Sequence, residues 1–406
     1  MMKRPLILRH RGMFLVWLGQ ALSQMGTRMY QIALIWWLAV HAGAAGGRAA
    51  GLFMVASALP SLLLVKAIGR IIDRGPVRPV LVRCDLLSAL VVSCVAAALR
   101  YGLLGIASAC FAGLAVAALA ACFDPALNKA VAELAPPDEL PEAVAWQSST
   151  QSLASFAGAM AGAVLIDRIG LTGVAVVNAA SFLVSAACNA VLPLRAAAAG
   201  KTHAPARAGW AILSCAPALK RVLIGFGFVN FFMTPILVTL PLYTARVLHA
   251  PASTLGRLEA ALWLGLLSGT LSAGRRRSAA ALRTGAVCMA VIGSCFILPG
   301  IFAGKTLLAA SLCAAGAALG VNNVTFMALF QEKVPGALKG RFFALLQAVI
   351  GFTFPAAYLL SGVLLDGIGP LNVLLAQGLG ILGLSVYFLR LSAGSEPLCA
   401  PLEAGA

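Results

Sequence analysis

Charged residues are scarce in this chain of 406 residues, and histidine is rarer still. Only 11% of the residues are charged and 61% are apolar, whereas soluble globular proteins have about 25% charged and about 45–50% apolar residues. The shortage of charge argues against a water-soluble enzyme of this length, and the apolar excess excludes a disordered or collagen-like chain. The composition is typical of a protein that lies within a membrane.

Groups that carry out catalysis or bind metals are equally sparse. The four histidines show no HExxH-like spacing, the ten cysteines include no CxxC pair, and the 13 acids are scattered mainly through loops. No GxxxxGK[ST] motif for nucleotide phosphates is present. Most cysteines lie in apolar stretches, where a reduced thiol behaves as a small apolar residue. We therefore expect no enzyme activity, no metal and no cofactor.

Twelve stretches of the sequence predict transmembrane helices. A helix needs about 20 mostly apolar residues to cross the hydrocarbon core, whereas the strands of a membrane β-barrel alternate in polarity over about 10 residues. The first stretch is longer than the apolar core of a cleavable signal peptide, which has about 7–15 residues, so we expect it to be retained. The stretches cover residues 13–40, 49–65, 80–99, 103–123, 143–166, 169–194, 222–245, 255–274, 284–304, 306–331, 342–365 and 367–389.

The longest break in this series divides the stretches six to six. It covers residues 195–221, is rich in small residues and carries several basic ones, which is typical of a flexible linker. The sequence therefore predicts an all-α integral membrane protein with an N-terminal six-helix bundle at 1–194, a cytoplasmic linker at 195–221 and a C-terminal six-helix bundle at 222–406.

Basic residues are distributed unevenly between the two sides of the predicted bundle. With the N-terminus in the cytoplasm, 23 of the 30 lysines and arginines fall on the cytoplasmic side, six fall on the other side, and Arg28 lies within a span. This bias follows the positive-inside rule and accounts for the net charge of +17, so we do not expect a nucleic-acid partner. We expect a multi-pass protein of a bacterial inner membrane with both termini cytoplasmic.

A constant offset of 199 residues relates the two halves of the chain. The segments ELAPPDEL at 133–140 and EKVPGALK at 332–339 align without gaps, as do AVLIDRIG at 163–170 and GVLLDGIG at 362–369. An even number of spans separates the copies, so both run in the same direction. Two parallel six-helix halves related by an axis along the membrane normal are a plan used by transporters. The identical pairs are Glu133 and Glu332, Pro136 and Pro335, Asp167 and Asp366, and Gly170 and Gly369.

The loop between the second and third spans resembles the signature loop of the major facilitator superfamily. It reads GRIIDRGPVRPVL at 69–81, with Gly69, Asp73, Arg74 and Arg78 in register, whereas a proline stands at the expected second glycine and a valine at one basic position. The resemblance implies the major facilitator fold and a gating role for these four residues. Asp85 could join this network. A solvated loop that only fixes topology, and a plain interfacial acid at Asp85, are the alternatives.

Two further segments are similar to the macrolide-efflux and siderophore-exporter branch of drug antiporters. They are FLVWLGQALSQMG at 14–26 and FDPALNKAVAELAP at 123–136, and the resemblance implies export by alternating access. The fifth span reads GAMAGA where the antiporter pattern has a Gly-Pro pair followed by paired glycines. Gly158 and Gly162 still predict close contact with a neighbouring helix.

One face of the first span is polar. Its residues are spaced i, i+4, i+7 and i+11, which places them on one side of a helix, and polar groups in lipid are costly. The face either lines a central cavity, as the first span does in the resembled family, or makes hydrogen bonds between helices. A similar stripe in the sixth span favours packing. The candidates for the substrate pathway are Gln20, Gln24, Thr27, Arg28, Gln31, Gln151, Asn230, Thr234, Trp263 and Asn323.

Ionisable residues within spans are functional candidates. Arg28 lies near mid-membrane and could bind an anionic cargo or pair with an acid. Asp124 and Glu259 are candidates for ion coupling, and solvated interfacial acids are the alternative.

The sequence thus predicts a monomeric, proton-driven secondary exporter of an amphipathic small molecule, either a siderophore or a macrolide-type drug. Its partners would be that solute, protons and the bilayer. A lysophospholipid or other lipid carrier of the same fold is the alternative.

Overall fold

The computed structural model describes residues 9–64, 67–69, 72, 75–136, 139–193, 217–273, 281–334 and 339–393. Within these ranges the chain is helical and contains no strand. The segment Leu140–Ala190 divides at Gly170 into α5 (140–169) and α6 (171–190). The other helices are α1 Arg11–His41, α2 Gly46–Leu63, α3 Val77–Arg100, α4 Ile106–Leu134, α7 in two parts (Pro217–Met233 and Ile236–Arg246), α8 Ala252–Ala273, α9 Ala281–Ile301, α10 Lys305–Lys333, α11 Lys339–Gly367 and α12 Gly369–Ala393.

These helices correspond one to one with the twelve predicted stretches, so the predicted all-α membrane fold is confirmed. By length and composition alone, nine spans in the described part of the chain are apolar enough to cross a membrane. The first, fifth and eighth helices fall outside that set. In α1, the polar side chains of Gln20, Gln24 and Arg28 lower the mean hydropathy. The same three residues belong to the polar face of this helix. Large apolar side chains such as Phe111 and Phe352 point outward, as suits contact with lipid.

The sequence repeat is also a repeat of backbone structure. The helices α4 and α10 each have 29 residues, and their first and last residues differ by the predicted 199. Gly170 and Gly369 both have positive φ, at 65° and 81°. A residue without a Cβ atom enters this left-handed region at little cost, so each glycine ends one helix and turns the chain directly into the next.

The chain divides into two compact units. Unit 1 comprises Met1–Thr202 with Pro251–Gly256, and unit 2 comprises His203–Ala250 with Arg257–Ala406. Most of the predicted linker lies outside the described residues, and its last part, 217–221, belongs to the beginning of α7.

In unit 1, α1 packs closely against α5. A Cβ atom at Gly158 would lie 2.6 Å from the carbonyl oxygen of Met25, and one at Gly162 would lie 2.8 Å from Cα of Met29. Both distances are shorter than a real Cβ contact, so only glycine permits this approach. The two glycines are one turn apart, as in other membrane helix pairs with small residues at the interface.

In unit 2, α8 and α10 approach each other in the same way. A Cβ atom at Gly265 would collide with the carbonyl group of Cys313, and one at Gly269 would collide with that of Ala317. The atoms in conflict belong to backbone, which cannot rotate away as a side chain can. The backbones of α8 and α10 therefore touch over at least one full turn.

An ion-pair cluster joins the beginning of α1 to the beginning of α5. Arg9 Nη1 donates to Glu139 Oε1, Arg9 Nη2 lies 3.1 Å from Glu142 Oε2, and His10 Nε2 lies 3.0 Å from Glu139 Oε2. Glu139 is half-buried and has two cationic or polar partners, so it is the central residue of the cluster.

We expect Glu139→Gln to lower the free energy of unfolding by about 1 kcal/mol, near the upper end for partly exposed ion pairs. The loss should shrink as salt screens the pair. Glu332→Gln is the matched control, because Glu332 is exposed and contacts the adjacent Lys333. Thermal unfolding of both variants at low and high salt measures the difference, and equal shifts for the two would contradict the expectation.

Candidate functional site

A cavity of about 210 Å³ lies inside unit 1. Its walls are formed by α1, α3 and α4, with single residues from α5 and α6. The lining residues from α1 are all polar and those from α4 are mainly apolar, so the cavity is amphipathic. The polar lining residues are Gln20, Ser23, Gln24, Thr27, Arg28, Asp85, Ser88, Asp124 and Ser155, and the others are Cys84, Val116, Leu119, Ala120, Phe123 and Phe182.

The polar face of α1 supplies much of the polar wall. Gln20, Gln24 and Thr27 line the cavity together with Arg28. Gln31, the last member of the predicted face, lies beyond the lining. It accepts a hydrogen bond from Arg28 Nη1 at 2.9 Å, and its Nε2 lies 3.6 Å from Met54 Sδ on α2. The structure thus brings four of the predicted pathway residues together in one site.

Asp85 is the most buried acid of the cavity. It is 2% exposed, and its Oδ2 accepts a hydrogen bond of 2.9 Å from Nδ2 of Asn189 on α6. Nδ2 of Asn189 also lies 3.4 Å from the hydroxyl oxygen of Ser185. An ionisable side chain in a membrane helix usually faces the interior of the bundle or a water-filled cavity, because contact with lipid is costly. Asp85 meets this condition, since it lines the cavity.

The gating role expected for the signature loop stays a prediction. Asp73 and Arg74 lie outside the described residues. Gly69 lies in the short described segment 67–69, and Arg78 is exposed at the beginning of α3. Asp85 belongs to the cavity wall, which is a setting that the sequence alone did not indicate for it.

Sequence reasoning did not identify Asn189 as part of the site. The stripe on α6 to which it belongs does pack against α1, because Gly26 approaches Asn178 and Ser181. Asn189 lies further along the stripe and contacts α3 through Asp85. Its partner lies 104 residues away in the chain, so spacing along α6 carries no signal for it.

Phe182, Ser23 and Ser88 of the lining were also missed. Ser88 lies one turn after Asp85, and Ser23 lies one turn before Thr27, so helical spacing could have found both. Phe182 is buried on α6, and a phenylalanine in an apolar span has no distinctive sequence signal.

The remaining candidates of unit 1 are an acid and an amide on different helices. Asp124 of α4 lines the cavity and is exposed. Gln151 is exposed on α5 and is not among the residues that line this cavity.

The candidates of unit 2 occupy three helices. Asn230 Nδ2 donates to the carbonyl oxygen of Phe226, one turn earlier in α7. Thr234 is buried at the break of α7, and Glu259 is buried in α8. The indole of Trp263, one turn after Glu259, has a buried nitrogen. Asn323 is exposed on α10, where it corresponds to Asp124 under the 199-residue offset.

The formal charge of the unit 1 cavity is negative, because two carboxyl groups outnumber one guanidinium group. Among the described residues, no three His, Cys, Asp or Glu side chains are grouped as a metal would need. The lining of the cavity can hold a solute through hydrogen bonds, charge and apolar contact.

Comparison with known proteins gives full-length matches. A family model described as the Major Facilitator Superfamily matches residues 16–354. The chain is 28% identical over 389 residues to an uncharacterized MFS-type transporter, YfiS, of Bacillus subtilis, with 91% of this chain and 90% of the relative covered. It is 22% identical over 385 residues to Macrolide efflux protein A of Streptococcus pyogenes, with 92% and 94% covered.

Solved structures share the fold at low sequence identity. A bacterial homologue of the iron transporter ferroportin, in its inward-facing state, has a TM-score of 0.74 at 15% identity, with 95% of this chain and 99% of that chain covered. The nucleoside transporter NupG has a TM-score of 0.70 at 12% identity, with 93% and 99% covered. At these identities the likeness establishes the fold and not the solute.

Proposed function

Because this chain belongs to the major facilitator superfamily of membrane transporters, we propose that it is a secondary active exporter of an amphipathic small molecule. The observation that carries the proposal is the likeness to Macrolide efflux protein A over 92% of the chain. The cargo is of the siderophore or macrolide-drug type, and transport proceeds by alternating access. The chain acts in a bacterial inner membrane with its termini in the cytoplasm, and its two bundles extend over 1–194 and 222–406.

The composition of the unit 1 cavity supports an amphipathic cargo. Amides and hydroxyls of α1 can satisfy the polar groups of a solute, while Leu119, Phe123 and Phe182 offer apolar contact. Ligand sites are commonly apolar with a few placed polar groups. A strongly polar solute such as a sugar would gain little from contact with these apolar side chains.

Protons are the proposed source of energy. Asp85 and Asp124 lie in the cavity of unit 1, and Glu259 is a buried acid of unit 2. A carboxyl group that binds a proton on one side of the membrane and releases it on the other can couple export to the proton gradient. In this proposal Gly69, Asp73, Arg74 and Arg78 form the gate between the second and third spans.

Expression in an efflux-deficient bacterium tests the proposal. We expect the chain to raise the inhibitory concentration of erythromycin several-fold, or to restore siderophore secretion to an exporter-deficient host. A protonophore should abolish either effect, because it removes the proposed energy source. Asp124→Asn, which removes one cavity acid, should reduce export, whereas Glu133→Gln, which removes an acid that does not line the cavity, should not.

Two results would contradict this proposal. Unchanged drug resistance together with unchanged siderophore secretion would reject export of either cargo. Transfer of lysophospholipid between the leaflets of vesicles, with neither drug nor siderophore moved, would instead assign the chain to lipid transport.

A further inference from the structure

The cavity of unit 1 contains a hydrogen-bond acceptor that lacks a donor. Gln20 is 5% exposed, it lines the cavity, and its Oε1 has no hydrogen-bond partner among the described residues. An unsatisfied buried acceptor costs free energy, so the group that completes this site is a donor. Asn189, a donor on the neighbouring α6, is already engaged with Asp85.

Gln20 and Asp85 lie at the same level of the bundle. Gly19, the residue before Gln20, packs against α6, because a Cβ atom added there would lie 3.3 Å from Cα of Ser185. Asn189 follows Ser185 by one helical turn and holds Asp85. Gln20 and Asp85 both line the same cavity, so an amide oxygen and a carboxyl group face one space. A ligand there meets two acceptors.

The positive charge of the cavity lies away from these acceptors. Arg28 is eight residues beyond Gln20, which is about 12 Å along the axis of α1. Its Nη1 donates to Gln31, still further along the helix. The side chains that hydrogen bond to Asp85 come from α6 and are neutral. The other charged group of the lining, Asp124, adds a second negative charge.

Two aromatic rings also belong to the lining. Phe123 of α4 and Phe182 of α6 are both buried and line the cavity. The face of an aromatic ring attracts a cation that is partly desolvated. A lining that combines acceptors with aromatic rings is a typical environment for an alkylammonium ion, which has N–H donors at its nitrogen and apolar carbons around it.

We propose that this cavity binds a protonated alkylamine of the cargo, with the ammonium group donating to Asp85 and to Oε1 of Gln20. The proposal rests on the proposed export function and deepens it, because it names the chemical class that the first unit recognises.

Calorimetric titration of the purified full-length protein tests this assignment. Benzylamine, which is protonated at neutral pH and then has three N–H donors, is the probe, and benzyl alcohol is the neutral comparison. We expect the amine to bind and the alcohol to bind far more weakly. Asp85→Asn should weaken binding of the amine by about tenfold to a hundredfold, as expected for the loss of a charge-assisted hydrogen bond. Glu133→Gln removes a carboxylate outside the cavity and should leave the affinity unchanged.

A second variant keeps the test valid if Asp85→Asn does not fold. Gln20→Leu removes the unpartnered acceptor, keeps the side-chain volume nearly constant and should weaken amine binding several-fold, while Asp85→Glu should retain it. Equal affinity of wild type and Asp85→Asn would overturn the proposal. So would equal binding of the amine and the alcohol, displacement of the amine by sodium at equal concentration, or proton uptake with no amine binding. Amine binding that persists in a chain without export would reject the proposed function and leave this site intact.

Discussion

Replacing Gly269 with valine is expected to remove most of the folded protein. The Cβ atom of valine would meet the carbonyl group of Ala317 on α10, and the same crossing continues one turn away at Gly265. Since both sides of the conflict are backbone, α8 must move away from α10 as a whole. We expect a loss of about 3 kcal/mol or more, the upper range for overpacking.

The yield of monodisperse protein and its unfolding temperature measure this effect. Gly383→Val is the matched control, because that glycine lies within α12 and nothing approaches its Cβ position within 4 Å. The control should fold and unfold like the wild type. Similar losses for the two variants would mean that valine itself, and not the helix crossing, is responsible.

The second large effect is expected at Asn189. Asn189→Leu removes the amide that donates to Asp85 inside unit 1, and it leaves a buried carboxyl group with one donor fewer. Hydrogen bonds to charged groups contribute about 1.5–3 kcal/mol, so we expect a loss of about 2 kcal/mol in the free energy of unfolding. Asn372→Leu should cost much less, because Asn372 is exposed and bonds only to the carbonyl of Ile368 in the preceding turn.

A double-mutant cycle separates this contact from general packing. Asp85→Leu combined with Asn189→Leu removes both partners, which costs less than leaving one of them unsatisfied. We therefore expect the double variant to unfold at a higher temperature than the sum of the single changes implies. Strict additivity would show that the two side chains do not interact in the folded protein.

The fold could be predicted because it depends on properties that are local in the sequence. Apolar length located the helices, and the 199-residue offset aligned Gly170 with Gly369, the two glycines at which the structure turns. The superfamily resemblance, carried by the loop at 69–81, is also confirmed. Each of these signals is contained in one segment or in two aligned ones.

The site could be predicted only in part, because it is assembled from five helices. The periodicity of α1 placed Gln20, Gln24 and Thr27 on one face, and they do share a cavity. Periodicity describes a face and not the helix opposite to it, so the contact between Asp85 and Asn189 had no counterpart in the sequence. For Arg28 the sequence predicts either an anionic cargo or an acid as the partner. It does not indicate that Asp85 and Asp124, which lie on other helices, line the same cavity as Arg28.

The common register of α4 and α10 has an electrostatic consequence. Because their bounds differ by 199 residues, Asp124 in the first copy stands where the second copy has Asn323. The two side chains have nearly the same shape and differ in their capacity for charge. The two copies thus share their helix bounds, whereas only the first copy has an ionisable side chain at this position.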